Sequence, residues 1–175
     1  MRSFRAVGVR LRQADIDEWD FWKRHVDAAA FARLVREHFH ADAAIAGNAP
    51  YPDAAAVLQR WHKMGAEIHI LSDRHPEALP ATRAWLEAHQ IPSHTVATAR
   101  GPEKVAYALE RGLRIMIDDK PGTIVAAREA GLVTAALHTR YNRHVLDHPA
   151  TVGGSSWAVI ARRLERQCPH LRIQR

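Results

Sequence analysis

From Tyr51 onward the sequence alternates between strand-like and helical patterns, and this alternation restricts the fold more than any other feature. Apolar runs rich in β-formers are separated by segments of about ten residues with helical periodicity. Strands that alternate with such helices are typical of βαβ units, whose parallel strands carry helices on both faces of the sheet. The sequence therefore predicts an α/β fold, with strands at 66–73, 94–98, 113–119 and 133–138 and helices at 52–63, 76–89, 102–111, 121–130 and 157–166.

The first fifty residues carry a different pattern. Asp27–Phe39 has the apolar spacing of an amphipathic helix, with Phe31, Leu34, Val35 and Phe39 expected to face inward. Gly47–Pro52 resembles a linker. We therefore predict a helical cap or appendage at 1–48 and an α/β core at 49–175.

Composition limits the classes of function. The chain has 175 residues and a net charge of +6, and this positive surplus attracts phosphate-bearing ligands. No basic cluster is interleaved with aromatic residues, so nucleic-acid binding is not predicted. The sequence contains no apolar run long enough to cross a membrane, and its first residues lack the uninterrupted apolar region of a signal peptide, so neither feature is expected. A single cysteine, Cys168, cannot form an internal disulfide, so we expect a cytoplasmic protein. Formation of a homo-oligomer is left open.

Polar residues stand where two of the predicted strands end. Ser72 and Asp73 follow one strand, and Asp118 and Asp119 follow another, while Lys104 falls in the first turn of a helix. The carboxyl ends of parallel strands lie at one edge of a sheet, so these residues are expected to share a cleft. A hydroxyl group can hold a phosphate oxygen, a lysine can neutralise its charge, and carboxylates can bind Mg²⁺.

Each of these residues also has a plain structural explanation. Ser72 alone would be a turn residue, Lys104 a surface residue, and Asp118 or Asp119 a cap for the helix near Pro121. Adjacent carboxylates repel each other, however, and are rarely placed after a buried strand for stability. Taken together, the residues favour a phosphoryl-transfer site.

The order of these motifs resembles the haloacid-dehalogenase (HAD) superfamily of hydrolases. LSDR at 71–74 resembles its second motif, Lys104 its third, and IMIDDKPGTI at 115–124 its fourth, in a form similar to the 5′(3′)-deoxyribonucleotidase branch. The segments DIDEWDFW, NAPYPDAAAVLQRW and HTRYNR are similar to bacterial nucleotidase-like members. The resemblance implies a Rossmann-like, three-layer α/β/α fold with a parallel sheet and a small helical cap.

The resemblance also implies roles for individual residues. Ser72 would bind the phosphoryl group, and Lys104 would stabilise the phosphate and an aspartyl intermediate. Asp118 and Asp119 would hold Mg²⁺, with Asp119 as the direct ligand. The remaining residues expected to line the substrate site are Asp73, Arg74 and Asn142.

One motif of the family is missing. Members begin with a central strand that ends in Asp-x-Asp-Gly and carries the nucleophile, whereas Asp15-Ile16-Asp17 here lacks both the preceding apolar run and the glycine. Three explanations are open: the true start lies upstream, the chain is a fragment, or the protein is a non-catalytic member. Ala6–Leu11 is a poor central strand because arginines surround it. The facing edges of the 66–72 and 113–118 strands should therefore be unpaired.

The function expected from the sequence is that of an Mg²⁺-dependent phosphomonoesterase of the nucleotidase type. Its substrate would be a nucleoside monophosphate or another small phosphate ester, which would react through an aspartyl-phosphate in the complete protein. The alternative is a non-catalytic HAD-like module that binds a phosphorylated ligand or a protein partner. A nucleic-acid-associated protein is a distant third reading.

Overall fold

A computed structural model describes residues 2–5 and 8–168. It is an α/β structure in which every strand pair is parallel. The helices are α1 Arg2–Arg5, α2 Ala28–Leu34, α3 Asp42–Ala46, α4 Ala54–Lys63, α5 Leu79–Ala88, α6 Pro102–Glu110, α7 Pro121–Glu129, α8 Arg143–Leu146 and α9 Trp157–Gln167. The strands are β1 His69–Ser72, β2 Thr95–Thr98, β3 Ile115–Ile117, β4 Val133–Leu137 and β5 Thr151–Gly154.

The strands form two separate sheets. β1 pairs with β2, with Ile70 opposite Val96. β3, β4 and β5 form the second sheet in that order, with Met116 opposite Thr134 and Ala135 opposite Val152. Among the described residues, no strand joins β1 to β3. The sequence-based expectation of unpaired facing edges is therefore met by the structure.

The direction of the backbone groups defines this gap between β1 and β3. Arg114 and Asp118 direct their backbone hydrogen bonds to β4, and Ile68 and Ser72 direct theirs to β2. Because backbone groups alternate sides along a strand, those of Ile115 and Ile117, and those of His69 and Leu71, point away from the paired neighbour. Two rows of backbone donors and acceptors thus border the gap.

Helices pack on both faces of the strands. On one face, α4 and α9 contribute Trp61, Ile160 and Leu164 to a core that includes Val96 and Val152. On the other face, α6 and α7 pack Val105 and Ala127 against Met116. Strand side chains alternate between the faces, since Ile115 and Ile117 contact the first core and Met116 belongs to the second. The first core contains residues of both sheets, so shared helices hold the two sheets together.

The predicted helix at Asp27–Phe39 is present, but it is α-helical only in its first half and π-helical in its second. The Asp27 carboxylate accepts a hydrogen bond from the backbone of Ala30 and begins α2, and Leu34 is buried. Val35–Phe39 then forms a wider π-helical turn. Such a turn rotates the residues that follow it relative to an α-helix. The inward placement predicted for Phe39 is therefore wrong, because 40% of this residue is exposed.

Aromatic residues organise the N-terminal helical segment. The Phe4 ring lies 5.6 Å from Phe21 and 6.4 Å from Phe31. Trp22 stacks on Phe31 at a centroid distance of 4.1 Å. Of the Ala6–Leu11 segment that might have filled the gap, residues 6 and 7 lie outside the described residues, and 8–11 form no strand. The division into units at 1–48 and 49–175 stays a prediction.

The fifth strand was not predicted from the sequence. Thr151–Gly154 ends in two glycines, which are poor strand formers. A Cβ atom at Gly153 would lie 2.4 Å from His138 Nε2, and one at Gly154 would lie 2.7 Å from Ile160 Cγ1. The close approach of α9 and His138 to β5 therefore requires these glycines, and tertiary packing outweighs the local propensity.

None of the helices in the described part has the length and apolar character needed to cross a bilayer.

Candidate active site

Lys104 connects the ends of the two sheets. Its ammonium lies 2.8 Å from Asp73 Oδ1, just past β1, and 2.9 Å from Asp118 Oδ2, just past β3. The contact with Asp118 is a hydrogen bond, whereas Asp73 Oδ1 lies close to the ammonium without hydrogen-bond geometry. Only 8% of Lys104 is exposed. Burial lowers the pKa of this lysine, but the two carboxylates outweigh burial and leave the pKa above its usual value.

Local sequence explains how Lys104 reaches this point. Gly101 adopts a positive φ of 48°, and Pro102 occupies the first turn of α6, so the chain turns sharply after β2 into the helix. Lys104 then lies in the first turn of α6, facing the carboxyl ends of β1 and β3. The sequence predicted that Lys104 falls in the first turn of a helix, and the structure places it there.

Both oxygens of the Asp118 carboxylate are engaged. Oδ2 accepts the bond from Lys104, and Oδ1 accepts one from the backbone N–H of Lys120 at 2.8 Å. The side chain is only 7% exposed. The Lys120 ammonium lies 3.8 Å from Asp73 Oδ2. Two lysines therefore face the carboxylates at this edge, and Lys120 was not singled out from the sequence.

Asp119 has a different environment. Its Oδ2 accepts a hydrogen bond from the Tyr141 hydroxyl at 2.6 Å. Burial and the neighbouring Asp118 raise the pKa of Asp119, although the Tyr141 hydroxyl and Lys104 act in the opposite direction. Burial and the bond to Asp119 raise the pKa of Tyr141. Asp73 and Asp118 each have a lysine within ion-pair distance, whereas the described side-chain partner of Asp119 is the neutral Tyr141 hydroxyl.

The Asn142 side chain links the segment that follows β3, which carries Asp119, to the end of β4. Its Nδ2 donates to the carbonyls of Asp119 and Leu137, at 3.3 and 2.9 Å, and its Oδ1 accepts from the Thr139 backbone at 2.9 Å. The residue is fully buried. These bonds indicate that Asn142 positions Asp119 from the end of β4. A direct contact with substrate stays a prediction for this residue.

Ser72 and Arg74 are the residues immediately before and after Asp73 in the chain. The Ser72 hydroxyl accepts a hydrogen bond from the Arg74 backbone N–H at 3.2 Å. The Arg74 guanidinium donates to Thr82 Oγ1 at 3.2 Å. The structure thus brings Asp73, Lys104 and Asp118 into direct contact. It places Ser72 and Asp119 next to them in the chain and turns the Arg74 side chain towards α5.

The residues fit a magnesium ion only in part. Oxygen donors suit Mg²⁺, which proteins commonly bind through one or two carboxylates together with substrate phosphate and water. Asp119 offers such a donor, because only its Oδ2 accepts a described hydrogen bond, while both oxygens of Asp118 are occupied. Within the described residues, no group of three acidic, histidine or cysteine side chains has the arrangement of a metal site.

An aromatic edge and a cavity adjoin Asp119, and neither was predicted from the sequence. Trp19 meets the Tyr141 ring edge-on at 5.5 Å, and the Lys120 ammonium lies 5.6 Å from the centre of the Trp19 ring. Trp19 is 37% exposed. A cavity of about 680 Å³ begins at Tyr141, and its other lining residues include Ile16, Tyr51, His138, Arg140 and Arg143.

One known protein is similar in sequence to about half of this chain. No family model matches the chain. A protein of Bacillus cereus named "Putative nucleotidase" is 30% identical to it over 99 residues, which cover 55% of this chain and 52% of that protein. The chain thus spans about half the length of this curated relative. The similarity is to a nucleotidase-like hydrolase.

Proposed function

We propose that the protein is the binding core of an Mg²⁺-dependent phosphomonoesterase of the nucleotidase type, a member of the HAD superfamily. Support comes from the contact of Lys104 with Asp73 and Asp118 across the gap between β1 and β3. A buried cation at the carboxyl ends of parallel strands is suited to a phosphoryl group. The similarity to a protein named as a nucleotidase points to the same class of reaction.

The resident side chains would bind the substrate rather than attack it. The Ser72 hydroxyl can donate to a phosphate oxygen while it accepts the bond from Arg74. Lys104 would neutralise the phosphoryl oxygens, and Asp119 would hold Mg²⁺, which when bound offsets negative charge on the phosphate. The cavity at Tyr141 would receive the alcohol portion of the ester, such as a nucleoside.

The nucleophile would come from a strand in the gap. Both oxygens of Asp118 accept hydrogen bonds, and Asp73 lies within ion-pair distance of Lys104 and Lys120, so we assign these two carboxylates to charge compensation and not to attack on phosphorus. A parallel strand between β1 and β3 would deliver a carboxylate next to Lys104. One of its oxygens would form a bond to phosphorus as the bond to the alcohol breaks, and a proton donor would protonate the leaving alcohol. Water would then attack the aspartyl-phosphate, releasing inorganic phosphate and restoring the carboxylate.

A non-catalytic module is the second candidate, and a specific observation favours it. In the part of the chain that the structure describes, no carboxylate-bearing strand fills the gap. Such a module would bind the phosphorylated ligand through Ser72 and Lys104 and release it unchanged.

Phosphate release distinguishes the two candidates. The chain would be compared with a version that carries, ahead of Met1, a short apolar strand ending in Asp-x-Asp-Gly. Nucleoside monophosphates and p-nitrophenyl phosphate would be the substrates, with and without Mg²⁺. We expect turnover only with the added strand and Mg²⁺, and loss of turnover when the first added aspartate becomes asparagine.

Binding provides the readout that does not depend on activity. Calorimetry should detect Mg²⁺ binding to the strand-bearing protein. Asp119→Asn should weaken this binding, while Glu110→Gln, an exposed control at the end of α6, should not. Phosphate-ester binding without turnover in the strand-bearing protein would favour the non-catalytic module. Absence of both Mg²⁺ and phosphate-ester binding would contradict both candidates.

A further inference from the structure

The Asp73 carboxylate lies against two lysines at the carboxyl edge of the gap. Its Oδ1 is 2.8 Å from the Lys104 ammonium, and its Oδ2 is 3.8 Å from the Lys120 ammonium. A single carboxylate therefore reaches two positive charges, one with each oxygen. Phosphate resembles a carboxylate in presenting two neighbouring oxygens to basic groups. A phosphate group in the same place can thus contact both lysines.

Asp73 is held only loosely in this position. Its Oδ1 makes no hydrogen bond despite the short distance to Lys104, and its Oδ2 is too far from Lys120 for one. The side chain is also 39% exposed, so water weakens both charge contacts. The Asp73 carboxylate can therefore leave the two lysines at little cost.

Asp118, the other carboxylate at Lys104, is fixed by comparison. Both of its oxygens accept hydrogen bonds, one from Lys104 and one from the backbone of Lys120, and its side chain is 7% exposed. Breaking these bonds would leave a buried charge without a partner, which is costly. Of the two carboxylates that contact Lys104, Asp73 is thus the one that a ligand can displace.

The Lys120 ammonium is equally free to change partners. Its described contacts are Asp73 Oδ2 at 3.8 Å and the Trp19 ring at 5.6 Å, and both distances exceed that of a hydrogen bond. The side chain is 31% exposed. An ammonium group has three hydrogen-bond donors. Lys120 can therefore direct these donors to a ligand that replaces Asp73.

We propose that Asp73 occupies the place of the phosphate group at Lys104 and Lys120 in the empty site, and that a phosphate group displaces it on binding. This inference rests on the proposed function, which assigns the phosphoryl group to Lys104. A phosphate monoester carries about two negative charges near neutral pH, whereas aspartate carries one. Exchange therefore brings a stronger counter-charge to the two lysines. An ester with one negative charge, such as a phosphate diester, gains no such advantage over Asp73, so this residue selects for monoesters.

NMR of the full chain tests the displacement directly. Inorganic phosphate would be titrated without metal at constant ionic strength, and the Asp73 carboxyl carbon and the Lys120 side chain would be followed. We expect saturable shifts of both signals, with the Asp73 signal moving towards that of an aspartate surrounded by water. Because the original protein is used, this readout does not depend on the folding of a variant.

Selectivity for monoesters gives a second test. Asp73→Asn removes the competing charge and should tighten phosphate binding by about fivefold, the effect of one partly exposed charge pair. Dimethyl phosphate, which has one negative charge, should bind Asp73→Asn more tightly than it binds the original protein. Adding Lys120→Gln should remove most of the gain in phosphate affinity, because the two residues act together. Glu110→Gln, an exposed control at the end of α6 with the same change in charge, should not alter phosphate affinity.

Two results would overturn this inference. One is saturable phosphate binding that shifts Ser72 and Lys104 but leaves the Asp73 signal unchanged, with equal affinity in Asp73→Asn. That result would still support a phosphate site at Lys104, and so would leave the proposed function intact. The other is the absence of saturable phosphate binding to both the original protein and Asp73→Asn. Turnover plays no part in these titrations, so an inactive strand-bearing protein would count against the proposed function alone.

Discussion

At the scale of single residues, Lys104 combines a role in binding with a role in stability. Its ammonium compensates the buried Asp118 and approaches Asp73 from the other sheet. Removing one partner of a buried ion pair leaves an uncompensated charge, which costs about 3 kcal/mol. We expect Lys104→Met to lower the free energy of unfolding by about that amount in urea denaturation.

Lys120 provides the matched control for this prediction. Its ammonium is partly exposed and 3.8 Å from Asp73, so Lys120→Met should cost less than about 1 kcal/mol. Adding Asp118→Asn to Lys104→Met should recover part of the loss, because the stranded charge is removed. Equal destabilisation by Lys104→Met and Lys120→Met would contradict the assignment of Lys104 as the compensating cation.

His40 predicts a pH dependence of stability. Burial first, and then the neighbouring basic groups, hold its folded-state pKa below the usual value of 6.5. Between these two pKa values the unfolded chain binds more protons than the folded chain, so stability rises with pH through that window. In urea titrations between about pH 5 and 7.5, His40→Gln should flatten this rise. The control His144→Gln, at an exposed position on α8, should leave the rise in stability with pH unchanged. The prediction would be refuted if stability rose as steeply with pH in His40→Gln as in the original protein.

At the scale of elements, the gap between β1 and β3 predicts a pattern of amide exchange. The N–H groups of Leu71 and Ile117 point into the gap, whereas those of their neighbours Ile70 and Met116 point to paired strands. Hydrogen exchange measured by NMR should therefore be faster at Leu71 and Ile117 than at these neighbours. Each strand thus contains its own control. Equal protection along both strands would show that something covers the gap.

An element could be predicted from the sequence when the residues that determine it lie close together in the chain. β1 to β4 and most helices follow from local apolar periodicity, and the placement of Lys104 and Asp118 follows from strand and helix ends. β5 could not be predicted, because its glycines are explained by contacts with His138 and Ile160, which are distant in sequence. Tyr141 and Lys120 were missed for the same reason, since their partners become neighbours only after folding.

At the scale of the whole molecule, the two sheets share a core but not their hydrogen bonds. Val96 of β2 and Val152 of β5 belong to one apolar cluster, so helices hold the sheets in place. The strand edges between them remain available to other strands, including those of a second copy. We therefore expect the chain to self-associate with increasing concentration, as measured by sedimentation velocity.

A strand that fills the gap between β1 and β3 should reduce self-association and stabilise the fold. An apolar strand joined ahead of Met1 through a flexible linker, with asparagine in place of any aspartate, would pair with both β1 and β3. Each hydrogen bond formed contributes about 1 kcal/mol, so the free energy of unfolding should rise by several kcal/mol, and sedimentation should show less self-association. The same strand with proline at its centre loses a backbone donor and cannot pair as well, so it controls for the added length. If the proline strand stabilises the protein as much as the intact strand, pairing in the gap is not the cause. Because this test contains no nucleophile, it probes the architecture separately from catalysis.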